Sequence, residues 1–180
     1  MIYSHIVACS LNNGIGLGGN LPWRIKEDLI HFKELTSNHP ILVGHNTFCS
    51  IGKVLPNRLN LVISRDTSIS NLSTTDSNIR VFYDLDSCLK ELASPTSSLR
   101  VHPYWNDEVF IIGGAKIYKT TLDLDIVSKI YLTLVHKNID ADSFYPAIDT
   151  AKFSVNEKSS LHKTDSGYEF EYITYERTDR

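Results

Sequence analysis

The residue whose type and place most suggest chemistry is Asp28. It stands in Trp23-Arg24-Ile25-Lys26-Glu27-Asp28-Leu29, among apolar positions Ile25, Leu29, Phe32 and Leu35 spaced four, three and three. That spacing is helical and puts residues 25, 28, 29 and 32 on one face. An unpaired carboxylate turned toward a core is costly, and its proton affinity rises, as a proton-handling group requires. A partly exposed acid beside its helix N-terminal dipole accounts for the same spacing, and spacing alone favours that plainer account.

Glycine is the second feature. Four of the nine glycines fall between positions 14 and 19. Gly14-Ile15-Gly16-Leu17-Gly18-Gly19 satisfies G-x-G-x-x-G after a strand, the pattern of a dinucleotide fingerprint. That motif needs a helix opening directly from the glycines and an acid about 20 residues on. Here Pro22 intervenes, helical periodicity starts near Ile25, and the later region reads Ser37-Asn38-His39-Pro40. A mobile lid fits the cluster better, since glycines supply the dihedral freedom of a closing loop. A plain surface loop is the other reading.

Metal and thiol chemistry find no pattern. Cys9, Cys49 and Cys88 are odd in number and form no C-x-x-C pair, and the seven histidines lack H-E-x-x-H spacing. A disulfide framework is therefore not expected, and a reducing, cytoplasmic setting fits. No resident metal is expected. The net charge of -3 offers no basic surplus for a nucleic-acid backbone. No apolar run approaches the roughly 18 residues of a membrane span, and Met1-Ile2-Tyr3-Ser4-His5 has no basic n-region.

Elements must hold these residues in place. Residues 2–9 read as a buried strand, followed by a Gly-rich loop and then the helix of Asp28, stopping near Pro40. Residues 41–44 and 59–64 read as strands, 66–78 as a polar surface loop and 81–83 as a short strand. Residues 87–92 read as a helix and 94–107 as a loop. A strand at 108–112 ends in Gly113-Gly114, and residues 115–122 read as a helix. Residues 130–136, 153–158 and 168–177 read as strands. Helices between the early strands imply a mostly parallel sheet covered on both faces. With 180 residues, one domain is expected.

In collinear order these residues resemble the dihydrofolate reductases, over nearly the whole chain. The blocks are Ile6-Val7-Ala8, Ile15-Gly16, Leu21-Pro22-Trp23 and Asp28-Leu29-x-x-Phe32-Lys33-x-x-Thr36. Val43-Gly44-x-x-Thr47-Phe48-x-Ser50-Ile51-Gly52, Leu55-Pro56-x-Arg58-x-Asn60 and Ile63-Ser64-Arg65 follow. Ile112-Gly113-Gly114-Ala115-x-Ile117-Tyr118, Tyr131-Leu132-Thr133 and Asp142-Ser143-Phe144-Tyr145-Pro146 complete them. Each block is short, and their order is what makes the match specific. Aspartate rather than glutamate at position 28 resembles the bacterial or phage form.

The resemblance implies an α/β fold with a central eight-stranded, mostly parallel mixed sheet, an antiparallel C-terminal strand and about four flanking helices. It implies one domain over 1–180, with an adenosine-binding subdomain near 39–106. It implies NADPH-dependent reduction of 7,8-dihydrofolate to 5,6,7,8-tetrahydrofolate, by hydride transfer to C6 and protonation of N5. Asp28 and Thr133 would hold the pterin edge, and a water near Leu21 and Trp23 would carry the proton. Ile6, Val7, Ala8, Leu29, Phe32, Ile51, Leu55, Ile112 and Tyr118 would wall the substrate, and Arg58 would take the glutamate α-carboxylate. The cofactor would meet Ala8, Ile15, Asn20, Leu21, Gly44, His45, Asn46, Thr47, Ile63, Ser64, Arg65, Ile112, Gly113, Gly114, Ala115, Lys116, Ile117 and Tyr118, with a cis Gly113–Gly114 bond. Antifolates would be inhibitors, and a monomer is expected.

Departures are visible. His45 stands where many of these enzymes carry arginine or lysine. Lys116 replaces an arginine, Phe48 a tryptophan, and Ala141 a glycine. Rival readings are a pyrimidine reductase of riboflavin synthesis and a catalytically silent binder of the same fold. Asp28 after Leu-Pro-Trp, together with Arg58, argues against the first. Joint retention of Asp28, Thr133 and Gly113-Gly114 argues against the second. Eight of the nine glycines lie in the matching blocks, and only Gly167 is outside.

Overall fold

The computed structural model describes residues 1–179. Strand β1 (Ile2–Ser10) opens the chain and lies inside the sheet, so its near-continuous apolar run is covered on both faces. After a turn comes β2 (Gly14–Gly16), then α1 (Lys26–Thr36), with Glu27 and Asp28 in its first turn. The helix stops where Ser37 turns extended and its N–H bonds the Lys33 carbonyl. Asn38 then takes φ 62°, ahead of Pro40. Strand β3 (Pro40–Gly44) runs straight into α2 (His45–Ile51), and β4 (Leu59–Ile63) follows.

Residues 66–78 are not a plain loop. They hold two one-turn helices, α3 (Thr67–Ser70) and α4 (Leu72–Thr75). Asp66 caps the first through the Ser68 N–H. Ile69 and Leu72 pack against the buried cluster of Val43, Val62 and Ile79. Two apolar residues among polar ones are too few for periodicity to reveal such turns. Strand β5 (Ile79–Phe82) and α5 (Leu85–Ala93) come next, and Asp84 caps α5 through the Ser87 N–H. Within the expected loop 94–107, Ser98–Val101 forms a 3-10 turn.

The chain continues through β6 (Glu108–Ile111), α6 (Ala115–Asp123), β7 (Val127–Val135) and β8 (Ser143–Phe144). It closes with β9 (Phe153–Lys158), β10 (His162–Lys163) and β11 (Glu169–Arg177). The sheet order is β10-β11-β7-β1-β6-β3-β4-β5. Pairings from β7 to β5 are parallel, and β11 is antiparallel to β7. Strand β9 bonds residues 173–177 of β11 and β10 bonds residues 169–170, so nine strands fill eight positions. The fold class read from the sequence stands. The first part of the Gly-rich stretch is a strand, because β2 pairs with β8 in a separate two-stranded sheet.

Alternation along each strand divides the core. Ile6, Ile41 and Phe110 face α1 through Phe32 and Leu35, and Val43 and Val62 face α2 through Phe48. Val7, Leu42, Leu61 and Ile111 face the other way, onto Cys88 and Leu92 of α5 and Tyr118 of α6. Burying each such large apolar side chain stabilises the fold by roughly 1.5–3 kcal/mol. Cys9 and Cys88 are buried, Cys49 is exposed, and all three thiols are free. Among the described residues no helix is long and apolar enough to cross a membrane.

The crossovers set up the site. From β1 the chain passes over β6 to reach β3; from β6 it passes over β1 to reach β7. Strand order therefore reverses around the β1–β6 pair, and a cleft opens at the carboxyl ends of such strands.

Candidate active site

A cavity of about 1110 Å³ occupies that cleft. Its lining follows the carboxyl ends of the parallel strands. Gly44 to Thr47 lie at the end of β3, Ile63 to Asp66 at the end of β4, Tyr83 to Leu85 after β5, and Ile112 with Gly114 to Tyr118 after β6. Ile6 to Ala8 and Thr133 form the floor, and Asp28, Leu29 and Phe32 of α1 form one wall. A smaller cavity of about 370 Å³ shares Asn20, Leu21, Asp28, Leu29, Ser50 and Ile51 with it, and adds Trp23, Arg24 and Ile25.

Asp28 is half-buried at this junction, and Thr133 Oγ1 donates to its Oδ1 at 2.6 Å. Burial lifts the Asp28 carboxyl above the usual carboxylate range, and the Thr133 hydrogen bond pulls it partly back. Asp28 does sit partly exposed in the first turn of α1, as the plainer account has it, and it also lines the cavity, where burial is the larger cause of its shift. The second carboxylate oxygen stays open to a ligand. Trp23 is 6% exposed, and its indole N–H has no hydrogen-bond partner in the protein. Buried indole N–H groups ordinarily have one, so this donor suits a ligand oxygen or a water.

At the other end, two helix starts converge. A Cβ on Gly114 would lie 2.8 Å from Thr47 Oγ1, and one on Gly44 would lie 3.1 Å from Ile117 Cγ1. The starts of α2 and α6 therefore approach as closely as glycine allows, and both line the cavity, a placement suited to phosphate. The Gly113–Gly114 bond is cis. His45 Nδ1 lies 2.9 Å from Ser64 Oγ, and its Nε2 lies 3.9 Å from Asp66 Oδ2. The Arg65 guanidinium sits 5.4 Å from the Tyr83 ring centre.

The Gly-rich segment lies along the middle of the cavity. Gly18 N–H donates to Asp142 Oδ2 at 2.9 Å, and Asp142 N–H donates to the Gly16 carbonyl at 2.9 Å. From the opposite wall, Ser50 Oγ donates to the Gly19 carbonyl. The 14–19 segment is thereby pinned on both sides of the cleft.

Of the residues the sequence pointed to, most line the main cavity. Trp23 lines the smaller one. Leu55, Arg58 and Gly113 line neither. Leu55 packs against the Ile6, Ile41 and Phe110 cluster. Gly113 lies behind the wall, and a Cβ there would meet Tyr118 Cε2 at 2.9 Å. Arg58 is 3% exposed, with Nε on the Pro56 carbonyl at 2.8 Å and Nη1 on Thr36 Oγ1 at 3.1 Å. None of the ion pairs among the described residues involves it. A buried guanidinium bonded only to neutral oxygens is uncommon, since buried charges are usually paired.

Sequence reasoning gave no role to the lining residues Ser50, Asp66, Asp142 and Ser143, nor to Tyr83, Asp84 and Leu85. The last three sit just past β5, where the strand-end rule would have found them.

Comparison with known proteins agrees with this geometry. Residues 2–177 match the family model described as Dihydrofolate reductase. The chain is 30% identical over 178 residues to the dihydrofolate reductase of Bacillus subtilis (strain 168), covering 97% of this chain and 94% of that one. It is 34% identical over 184 residues to the dihydrofolate reductase of Schistosoma mansoni, covering 95% and 94%. It is 34% identical over 169 residues to dihydrofolate reductase type 6 of Proteus mirabilis, covering 94% and 97%. A model match over nearly every residue and relatives aligned end to end lead to one conclusion: the chain belongs to the dihydrofolate reductase family.

Proposed function

We propose that this protein reduces 7,8-dihydrofolate to 5,6,7,8-tetrahydrofolate with NADPH as hydride donor. The observation that carries the reading is the Asp28–Thr133 pair, which joins the α1 wall of the cavity to its floor. Thr133 spends its hydroxyl proton on Asp28 Oδ1, so its oxygen remains an acceptor for a ring amino group. The open Asp28 oxygen accepts a second N–H from the same edge, and this fixes a flat 2-amino-4-oxo heterocycle against Ile6, Val7, Ala8 and Phe32. The raised proton affinity of Asp28 favours a proton near that ring. The unpartnered Trp23 indole N–H supports a water on the route to N5.

The nicotinamide group, when bound, supplies the hydride. The chain's own work is to hold it. The close starts of α2 and α6 fit a pyrophosphate, and Ser64 with Arg65 fits a 2′-phosphate. Thr47, Lys116 and Ile117 line the route between, and Tyr118 with Ile112 backs the reacting end. Arg58 holds the substrate's terminal carboxylate, reached along the face of α1. Residues 39–106 form the adenosine-binding part of one domain. Aspartate at 28 favours the bacterial or phage form, free thiols favour a cytoplasmic setting, and the protein acts as a monomer.

The test is the loss of reduced-nicotinamide absorbance on mixing with dihydrofolate. Turnover dependent on both reagents is expected; none above background overturns the reading.

A further inference from the structure

Beneath the cavity lies a buried polar group that the chemistry above does not use. His5, in β1, has no solvent exposure. Its Nδ1 is 2.7 Å from Tyr145 Oη, and its Nε2 is 2.8 Å from Thr121 Oγ1. Burial depresses the imidazole to about 3, so it is neutral and has one donor and one acceptor nitrogen. Thr121 directs its hydroxyl proton at the Ile117 carbonyl, 2.8 Å away. Its oxygen therefore accepts from His5 Nε2–H. His5 Nδ1 is then the acceptor, and Tyr145 donates to it. The reverse order would leave the buried Tyr145 hydroxyl proton without an acceptor. The result is a one-way chain of bonds: Tyr145 to His5, His5 to Thr121, Thr121 to the backbone of α6.

Both ends reach working parts. Tyr145 follows β8, the strand that pairs with β2 at the root of the lid, and its N–H bonds the Asn13 carbonyl at 2.8 Å. Three residues earlier, Asp142 pins Gly16 and Gly18. At the far end, α6 carries Tyr118, whose hydroxyl donates to the Ile6 carbonyl at 2.7 Å in the cavity floor. The rings of His5 and Tyr145 both press on the Tyr118 ring, at 4.9 and 5.1 Å between centres.

We infer that Tyr145, His5 and Thr121 are positioning residues that couple the docking strand of the lid to α6 and Tyr118. Lid closure and placement of the reacting end of the cavity are one event, because an unmade bond in this chain leaves a polar atom buried and unsatisfied. A closed lid holds β8 in register, β8 holds Tyr145, and Tyr145 fixes the His5 ring that orients α6. The inference rests on the proposed hydride-transfer reading, so its test has a part free of ligand.

Tyr145→Phe keeps the ring and removes the donor to His5; Thr121→Val cuts the other end. In the ligand-free protein, each variant is expected to speed hydrogen exchange of the Asp142 and Tyr145 amides about tenfold, the scale of one buried hydrogen bond. The double variant is expected to show no further gain, as for residues acting in one chain. Thr121→Ser, which restores the hydroxyl, is expected to behave as wild type. Ile79→Val on β5, in a buried cluster that does not include Tyr145, serves as a destabilised control with unchanged exchange at those amides. In single turnovers, Tyr145→Phe is expected to slow hydride transfer about tenfold with dihydrofolate affinity unchanged. Unchanged amide exchange in Tyr145→Phe and Thr121→Val overturns the coupling, as does simple additivity in the double variant. Should either of those two fail to fold, Tyr145→Phe combined with His5→Leu, which leaves no unpaired imidazole, is measured instead; there too, unchanged exchange overturns the coupling. A wild-type protein that turns over no dihydrofolate overturns the proposed function, while the exchange data still judge the coupling.

Discussion

At Asp28, burial raises proton affinity and one hydroxyl bond lowers it, with burial the larger. The linkage has a definite sign. An unfolded aspartate titrates near ~3.9. Above that pH the folded protein binds more protons than the unfolded chain, so stability falls as pH rises through the window up to the raised folded value. Asp28→Asn does not ionise and is expected to be more heat-stable than wild type at neutral pH. That gain should vanish below about 3.9, and thermal melts across pH will read it. The same change is expected to cut turnover about a hundredfold or more at neutral pH, with much of it recovered in acid, where substrate is already protonated. Arg58→Leu is expected to raise the dihydrofolate KM about ten- to a hundredfold, the scale of a charged hydrogen-bond pair. A pterin lacking the glutamate tail should show no such change between wild type and variant, and steady-state kinetics on both compounds separate the cases. Asp28 was visible in the sequence because one acid broke an apolar stripe. The burial of Arg58 was not visible, since a guanidinium usually reads as surface.

At the level of elements, strands and helices of nine or more residues were legible from periodicity. The elements that periodicity missed are α2, of seven residues, and β2, β8, β10, α3, α4 and the 3-10 turn, of four residues or fewer. Such pieces bury too little for a pattern, and the β2–β8 pairing joins Gly14 to Phe144, far apart in sequence. The meeting of α2 and α6 was legible only as glycines, yet it makes a sharp prediction. Gly114→Ala is expected to push Thr47 aside and to weaken NADPH binding at least about tenfold. Adding Thr47→Ala removes the Oγ1 that the new Cβ would strike and should restore part of that affinity, as cofactor titrations would show.

Across the whole molecule, the reversal of strand order was not readable from the chain, because neighbours in a parallel sheet are chosen by crossovers rather than by local pattern. His5 shows how such a long-range contact governs global stability. It is held neutral with a folded value of about 3, against about 6.5 for an unfolded histidine. Its contribution is fully present above about 6.5 and is lost as pH falls toward 3, since the unfolded chain takes up the proton first. Urea midpoints are expected to drop between those values, and His5→Leu should flatten that slope while lowering stability at neutral pH.

The sharing of one sheet position by β9 and β10 has a further consequence for the protein in concentrated solution. An uninterrupted outer strand would present a row of free N–H and C=O groups, a template on which another chain can add. Here that border is split into strands of six and two residues, with Lys158 on one side of the break and the short His162–Lys163 strand on the other. At the opposite border, the Val81 N–H on the outer strand β5 is taken by Ser73 Oγ of α4 at 2.9 Å. Both margins of the sheet thus resist the edge-to-edge stacking that begins ordered aggregation.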